Sequence, residues 1–297
     1  MRELGEKDTY FDLEPRDYAY EYALNALGIT TTYDDSPVIA ADGQMIGSFS
    51  DDEIKEMLKN GLLIDLRAAE TLIKRGFGKY LGFSIKKTML LHEKLTVSAE
   101  ELTDADFGGA PARYLTMTIP DLVTDARFGI IEPVKSAKQI SRLVNPDRET
   151  LCGFTTLFEN ELGGRVAIIP LDMGKAVSPG FLHPFRREQL IAILKWISRH
   201  RLPAFVQGGT YALPYRMDFD DRIMLGVFNL CHDDWREVVW DIFIEGKQPK
   251  TVEVIRKDGR WDALRMKKEK ISENRFLINF WRPMTFRMPV IMRLMLY

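Results

Sequence analysis

Cysteine, histidine and net charge are what this sequence has least of, and each shortage closes off a class of function. Only two cysteines, Cys152 and Cys231, occur in 297 residues. They lie far apart without the spacing of a metal site, so a disulfide framework is disfavoured and a reducing, cytoplasmic compartment is the expectation. The four histidines, His92, His183, His200 and His232, are equally scattered, and neither a metal nor a cofactor is expected. Lys and Arg (41) nearly balance Asp and Glu (43), for a formal net charge of -2. Such a chain has no field to gather nucleic acid or an anionic membrane. No stretch approaches the roughly 18 uninterrupted apolar residues of a spanning helix, and the polar segment Met1–Asp12 lacks the apolar core of a secretion signal. What is present is 45% hydrophobic and 28% charged, the balance of a globular chain, with a length that predicts about two domains.

From Glu14 to about His200 helical and extended patterns alternate, which predicts an α/β domain over residues 1–202. Pro15, with Ala19, Tyr22, Ala23 and Ala26 on one stripe, predicts a first helix that ends at Gly28. Strands are expected at Ile29–Tyr33 and Val38–Ala41. Ser50 and Glu53 form a capping box ahead of Ile54, Met57 and Leu58. Leu62, Leu63 and Ile64 read as a parallel strand buried on both faces. Asp65 then stands where a helix N-cap belongs, ahead of Ala68, Ala69, Leu72 and Ile73. Periodicity weakens from His92 to Pro146. Strands are expected again at Leu151–Glu159 and Arg165–Pro170, followed by a helix near Arg186–Ser198. From Tyr211 onward, six extended runs about ten residues apart predict an antiparallel β-sandwich over residues 203–297. The first region is net acidic and the second net basic.

Gly61-Leu62-Leu63-Ile64-Asp65, then Ala68-Ala69-Glu70 and Lys74-Arg75-Gly76-Phe77-Gly78, resemble the class I glutamine-amidotransferase-like domain that follows the catalytic barrel in glycoside hydrolases of the β-galactosidase type. Asn160, followed by Gly163-Gly164-Arg165-Val166-Ala167-Ile168, resembles the end of the trimerisation domain of family 42 β-galactosidases. The resemblance implies a noncatalytic, flavodoxin-like module followed by the sandwich, serving oligomer contacts. It also implies that the catalytic barrel, about 250 residues in its usual form, is missing from these 297 residues. The chain is then a piece, a truncated product or a free-standing relative.

The individual residues point the same way. A live amidotransferase needs its cysteine on a strand-to-helix elbow between close-packed glycines, whereas Cys152 has glycine on one side only and leads into a strand. His183-Pro184 is similar to that family's His-Pro-Glu, with Phe185 in place of the Glu. Asp65 and Glu70 form a possible acid pair for glycoside chemistry, outweighed by the capping role of Asp65. Gly76, Gly78 and Gly82 follow a helix, where they end it, and do not precede one as a phosphate cradle would. Trp261 and Trp235, in the sandwich, are the candidates for stacking on sugar rings. The tail from Arg275 to Tyr297, with Met284, Met288, Met292 and Met295, is a last strand or an apolar partner surface. The leading expectation is an accessory, oligomerising region of a glycoside-hydrolase-like protein, with no catalytic residue in this chain. A homo-oligomer, a catalytic barrel on the same or a neighbouring protein, and carbohydrate are its expected partners. A carbohydrate-binding module and a self-contained hydrolase on an amidotransferase-like fold are the alternatives.

Overall fold

The computed structural model describes residues 24–32, 36–41, 43–90, 97–117, 127–172, 183–208, 212–280, 284–286 and 289–297. The described residues divide into two compact units, one within residues 36–200, the other within residues 201–297 together with residues 24–32. Strands dominate both.

The first unit is built around a sheet ordered Val38–Ala41, Gly61–Ile64, Arg165–Ile168, Thr156–Glu159 and Lys138–Gln139. The first three strands run parallel and the other two join antiparallel. Gly61–Ile64 is buried along its whole length, as its run of large aliphatics requires. Leu62 and Ile64 pack with Ile54, Leu58, Ala68 and Leu72 from the helices Asp51–Lys59 and Leu66–Lys74. Leu63 turns to the opposite face by strand alternation. Gly61 is obligatory, because a Cβ there would lie 2.6 Å from the Ile197 carbonyl oxygen and 2.8 Å from that of Pro37. Both caps form as their sequences dictate. The Ser50 backbone N–H donates to Glu53 Oε2 at 2.8 Å while the Glu53 N–H donates to Ser50 Oγ, and the Ala68 N–H donates to Asp65 Oδ1 at 2.7 Å.

The parallel sheet expected across residues 1–202 is confined to those three strands. The remainder of the unit is antiparallel: a pair formed by Phe83–Leu90 and Arg127–Pro133, and a sheet ordered Tyr114–Thr116, Ala99–Leu102, Ser141–Val144 and Thr150–Gly153. The single strand expected over Leu151–Glu159 is two strands in different sheets, Thr150–Gly153 and Thr156–Glu159. Between them Phe154 is fully buried. The helix Pro184–Ile197 starts with proline in its first turn and His183 as N-cap, whose Nδ1 accepts from the Phe185 N–H at 3.1 Å.

The second unit is a β-sandwich. One sheet is ordered Ala204–Gln207, Val238–Phe243, Arg275–Phe280 and Met266–Ser272; the other is ordered Ala212–Asp218, Arg222–Asn229, Pro289–Leu296, Pro249–Ile255 and Trp261–Leu264. Pairing within both is antiparallel. Their inner faces share one core, with Trp240, Ile242, Phe276 and Ile278 from the first sheet and Leu225, Val227, Val254 and Met292 from the second. Residues 24–32 also belong here. Leu27 bridges to Ala212 and Ile29 to Phe205, the Val206 N–H donates to the Gly28 carbonyl at 2.9 Å, and Thr30 Oγ1 donates to the Ala204 carbonyl at 2.9 Å. The rest of the expected first helix, from Pro15 to Ala23, lies outside the described residues, as do His92, Trp281 and Met288.

Candidate functional site

The acids of the first unit singled out from sequence are engaged structurally. Asp65 caps its helix, as above. Glu70 is held by Arg127, whose Nη1 and Nη2 donate to the two carboxylate oxygens at 3.2 and 3.0 Å. The same guanidinium donates through Nε to buried Asp172 at 2.9 Å, and Arg67 adds a fourth charge, 3.5 Å from Asp172. Burial pulls the Arg127 pKa down, but its hydrogen bonds to Asp172 and then to Glu70 overcome it and leave the pKa above its ordinary value. Asp65 and Asp172 follow the C-terminal ends of the parallel strands, the place where open α/β sheets bind ligands. Here the space is used by charges that neutralise one another. Arg127 and Asp172, 45 residues apart, match no motif, and nothing in their local sequence announces the pairing.

Cys152 sits on the strand Thr150–Gly153, not on an elbow, and burial pushes its thiol up to about 11. A thiol protonated at neutral pH is a poor nucleophile. His183 spends Nδ1 on its capping bond. Gly76 and Gly82 adopt positive φ after the helix Leu66–Lys74, as chain-turning residues. Among the described residues no group of three or more His, Cys, Asp or Glu is arranged to hold a metal ion, and no helix is long and apolar enough to cross a membrane.

A site candidate that opens to solvent lies in the sandwich. On the outer face of the five-stranded sheet a groove of about 620 Å³ is lined by Tyr215, Met217, Met224, Gly226, Ile291 and Trp261, with Phe219, Phe228, Arg222 and Arg293 around them. Strand register explains it. Tyr215 pairs with Gly226 and Gly226 with Ile291, so this row across the sheet has a gap where a side chain would stand; the next row is Met217, Met224, Arg293 and Glu253. Tyr215 and Met217 are 51% and 62% exposed, a large apolar outlay for an outer face. The Tyr215 ring meets Phe228 edge-on with centroids 5.9 Å apart. Arg293 covers one side of the Trp261 ring at 4.5 Å and is fixed by donating to Glu253. Arg222 stands over Phe219 at 4.6 Å and pairs with Asp221 at 2.9 Å.

Of the two tryptophans singled out from sequence, Trp261 lines this groove. Trp235 is not among the lining residues; its backbone bridges to Met284 and its ring packs on the core. The methionines of the tail are divided: Met284 and Met292 are core residues. Sequence reading missed Tyr215, Met217 and Gly226. Their signal was available in Ile223-Met224-Leu225-Gly226-Val227-Phe228, a continuous apolar run in an antiparallel strand, which marks two apolar faces instead of one.

No protein-family model matches the chain, and no curated protein does. Its fold is similar to part of the α-L-fucosidase isoenzyme 2 from Paenibacillus thiaminolyticus, with a TM-score of 0.64 and 9% identity, covering 93% of this chain and 44% of that one. It is also similar to part of a β-galactosidase from Bacillus circulans sp. alkalophilus, with a TM-score of 0.53 and 10% identity, over 92% of this chain and 36% of that one. A catalytic mutant of a GH42 β-galactosidase from G. stearothermophilus gives 0.52 and 9%, over 92% and 35%. The chain spans less than half the length of each of these structures, and what it shares with them is the fold of a region of glycoside hydrolases.

Proposed function

We propose that this chain is a noncatalytic accessory and oligomerisation region of a glycoside-hydrolase-like protein that acts in carbohydrate metabolism. The observation that carries this reading is coverage: nearly all of the chain aligns with less than half of each of three glycoside hydrolases. Its own chemistry is consistent with that, since Asp65, Glu70 and Asp172 are tied to a helix end or to arginines and Cys152 is a protonated thiol on a strand. The flavodoxin-like, amidotransferase-like assignment of the first unit is supported by the three parallel strands and by the Asp65-capped helix that follows one of them. The partner proposed for it is a catalytic barrel on the same or a neighbouring protein, together with further copies of itself. Purified chain is expected to release no aryl leaving group from galactoside or fucoside substrates above the buffer rate; turnover that survives repurification would overturn the reading in favour of a self-contained hydrolase.

Carbohydrate contact is a second reading, favoured by the position of Trp261 in an open groove. Arg293 already occupies one face of that ring. Calorimetric titration with oligosaccharides against Trp261→Ala and Trp235→Ala separates the two tryptophans, with loss of binding expected for Trp261 alone.

A further inference from the structure

We propose that the groove on the outer face of the five-stranded sheet is a binding site for a small, flat, uncharged aromatic molecule, held over Gly226 between Tyr215 and the stacked pair of Arg293 and Trp261. This goes beyond the accessory reading and does not depend on it. Size is the first argument. The volume of about 620 Å³ lies within the ~300–1,000 Å³ of small-molecule sites. A dozen residues line the groove, fewer than the roughly 20–30 a side of a stable protein interface. Gly226 supplies the depth. It stands between Tyr215 and Ile291 across the strands, and a Cβ there would meet only Tyr215, at 3.7 Å and beyond, so a recess one side chain deep stays open in the face.

Charge and chemistry select the occupant. Three arginines line the groove, and each is matched by a carboxylate: Arg216 by Asp218 at 2.8 Å, Arg222 by Asp221 at 2.9 Å, and Arg293 by Glu253. With its cations neutralised the groove has no net field for an anion, and its few polar groups would leave the hydroxyls of a sugar unpaired. What lines it is a set of groups that all favour contact with rings. The Arg293 guanidinium lies over Trp261 at 4.5 Å and that of Arg222 over Phe219 at 4.6 Å. A planar guanidinium held by its carboxylate and stacked on one side has a second flat side on which another ring can lie. Tyr215 and Phe228, themselves edge to face, offer rings, and Met217 and Met224 offer thioethers that favour ring edges and adapt their shape. An alkyl chain would use the apolar area and none of this geometry, whereas an aromatic molecule uses both.

The test is a fluorescence titration of the full chain with N-phenyl-1-naphthylamine, an uncharged aromatic probe whose emission rises when it leaves water. Saturable binding is expected, with a midpoint of about 10–100 µM that does not move between low and high salt. Gly226→Leu fills the recess and Tyr215→Ala removes one wall; each should raise the midpoint at least about tenfold. Both positions lie on the outer face, so circular dichroism and thermal midpoint are expected to match wild type, and Tyr215→Ala carries the test if leucine at 226 disturbs the strand. Ile271→Ala, exposed on a strand of the other sheet, should bind the probe as wild type does. Absence of saturable binding, or binding that neither groove variant weakens, overturns the proposal. So does a preference of more than about tenfold for a sulfonated naphthylamine that salt abolishes, which would make the arginines an anion site. Displacement of the probe by an oligosaccharide overturns it in favour of the carbohydrate reading of Trp261, and loss of the probe as sedimentation shows the chain dimerising overturns it in favour of a protein partner.

Discussion

The two units bury charge to different ends. In the first, Glu100 and Arg186 form a fully buried pair, Arg186 donates also to Gln189, and Thr155 Oγ1 donates to Glu100 at 3.0 Å. This cluster ties the four-residue strand Ala99–Leu102 and Thr155, just ahead of the strand Thr156–Glu159, to the helix Pro184–Ile197. In the second, the Arg275–Asp241 pair is buried within the four-stranded sheet, and Arg275 spends Nη1 on the Leu202 carbonyl at 3.1 Å. Burial lowers the Arg275 pKa. There the weight of the fold rests on the continuous core around Trp240. The first unit joins several small sheets and adds a buried polar cluster to the apolar core around Leu62 and Ile64, whereas the sandwich closes over one continuous core.

The largest expected effect tests the polar side of that contrast. Arg186→Met strands Glu100 in the interior and should cost about 3–5 kcal/mol, read by urea denaturation. Trp240→Ala should cost a similar ~3–5 kcal/mol in the sandwich. If the units unfold as separate transitions, Arg186→Met moves one and Trp240→Ala the other; a single transition shifted by both would erase the contrast. Asp65→Ala removes one capping bond and should cost about 0.5–2 kcal/mol with no effect on association.

Cys152 gives a smaller, pH-dependent effect. Its thiol ordinarily titrates at 9.0 and is pushed up to about 11 in the folded chain. Between those values the unfolded thiol loses its proton while the folded one keeps it, so stability falls as pH rises through that window. Cys152→Ser should flatten the fall, and thiolate absorbance should titrate near 11 in the native protein. Smallest is Met217→Ala, within about 0.5 kcal/mol of wild type in thermal or urea unfolding, since its side chain is exposed.

Legibility followed the same division. The strands Ala212–Asp218, Arg222–Asn229 and Pro289–Leu296 were readable to within a few residues, because each is an apolar-rich run of seven or eight residues bounded by turn residues. Met266–Ser272 was missed: Lys267, Lys268, Glu269 and Lys270 make an exposed edge strand with no apolar period. Both caps of the first unit were readable, since N-cap chemistry is local. Its four-stranded antiparallel sheet was not, because strands of three and four residues carry at most two periods, and their pairing spans long separations, as between Glu100 and Leu143. The groove was half readable. Trp261 stands out by type, while Tyr215, Gly226 and Ile291 become neighbours only through register.

The bridges of Leu27 and Ile29 also set a schedule for synthesis. Thr30 and its acceptor Ala204 are 174 residues apart, and at roughly 5–20 residues per second the partner strand emerges about 9 to 35 s after residue 30 does. During that interval the first unit assembles as its strands emerge, whereas residues 24–32 wait with Leu27 and Ile29 uncovered. A chaperone that holds short apolar segments would find its binding site on the nascent chain here, and the same stretch is where a released, sandwich-less fragment would begin to aggregate.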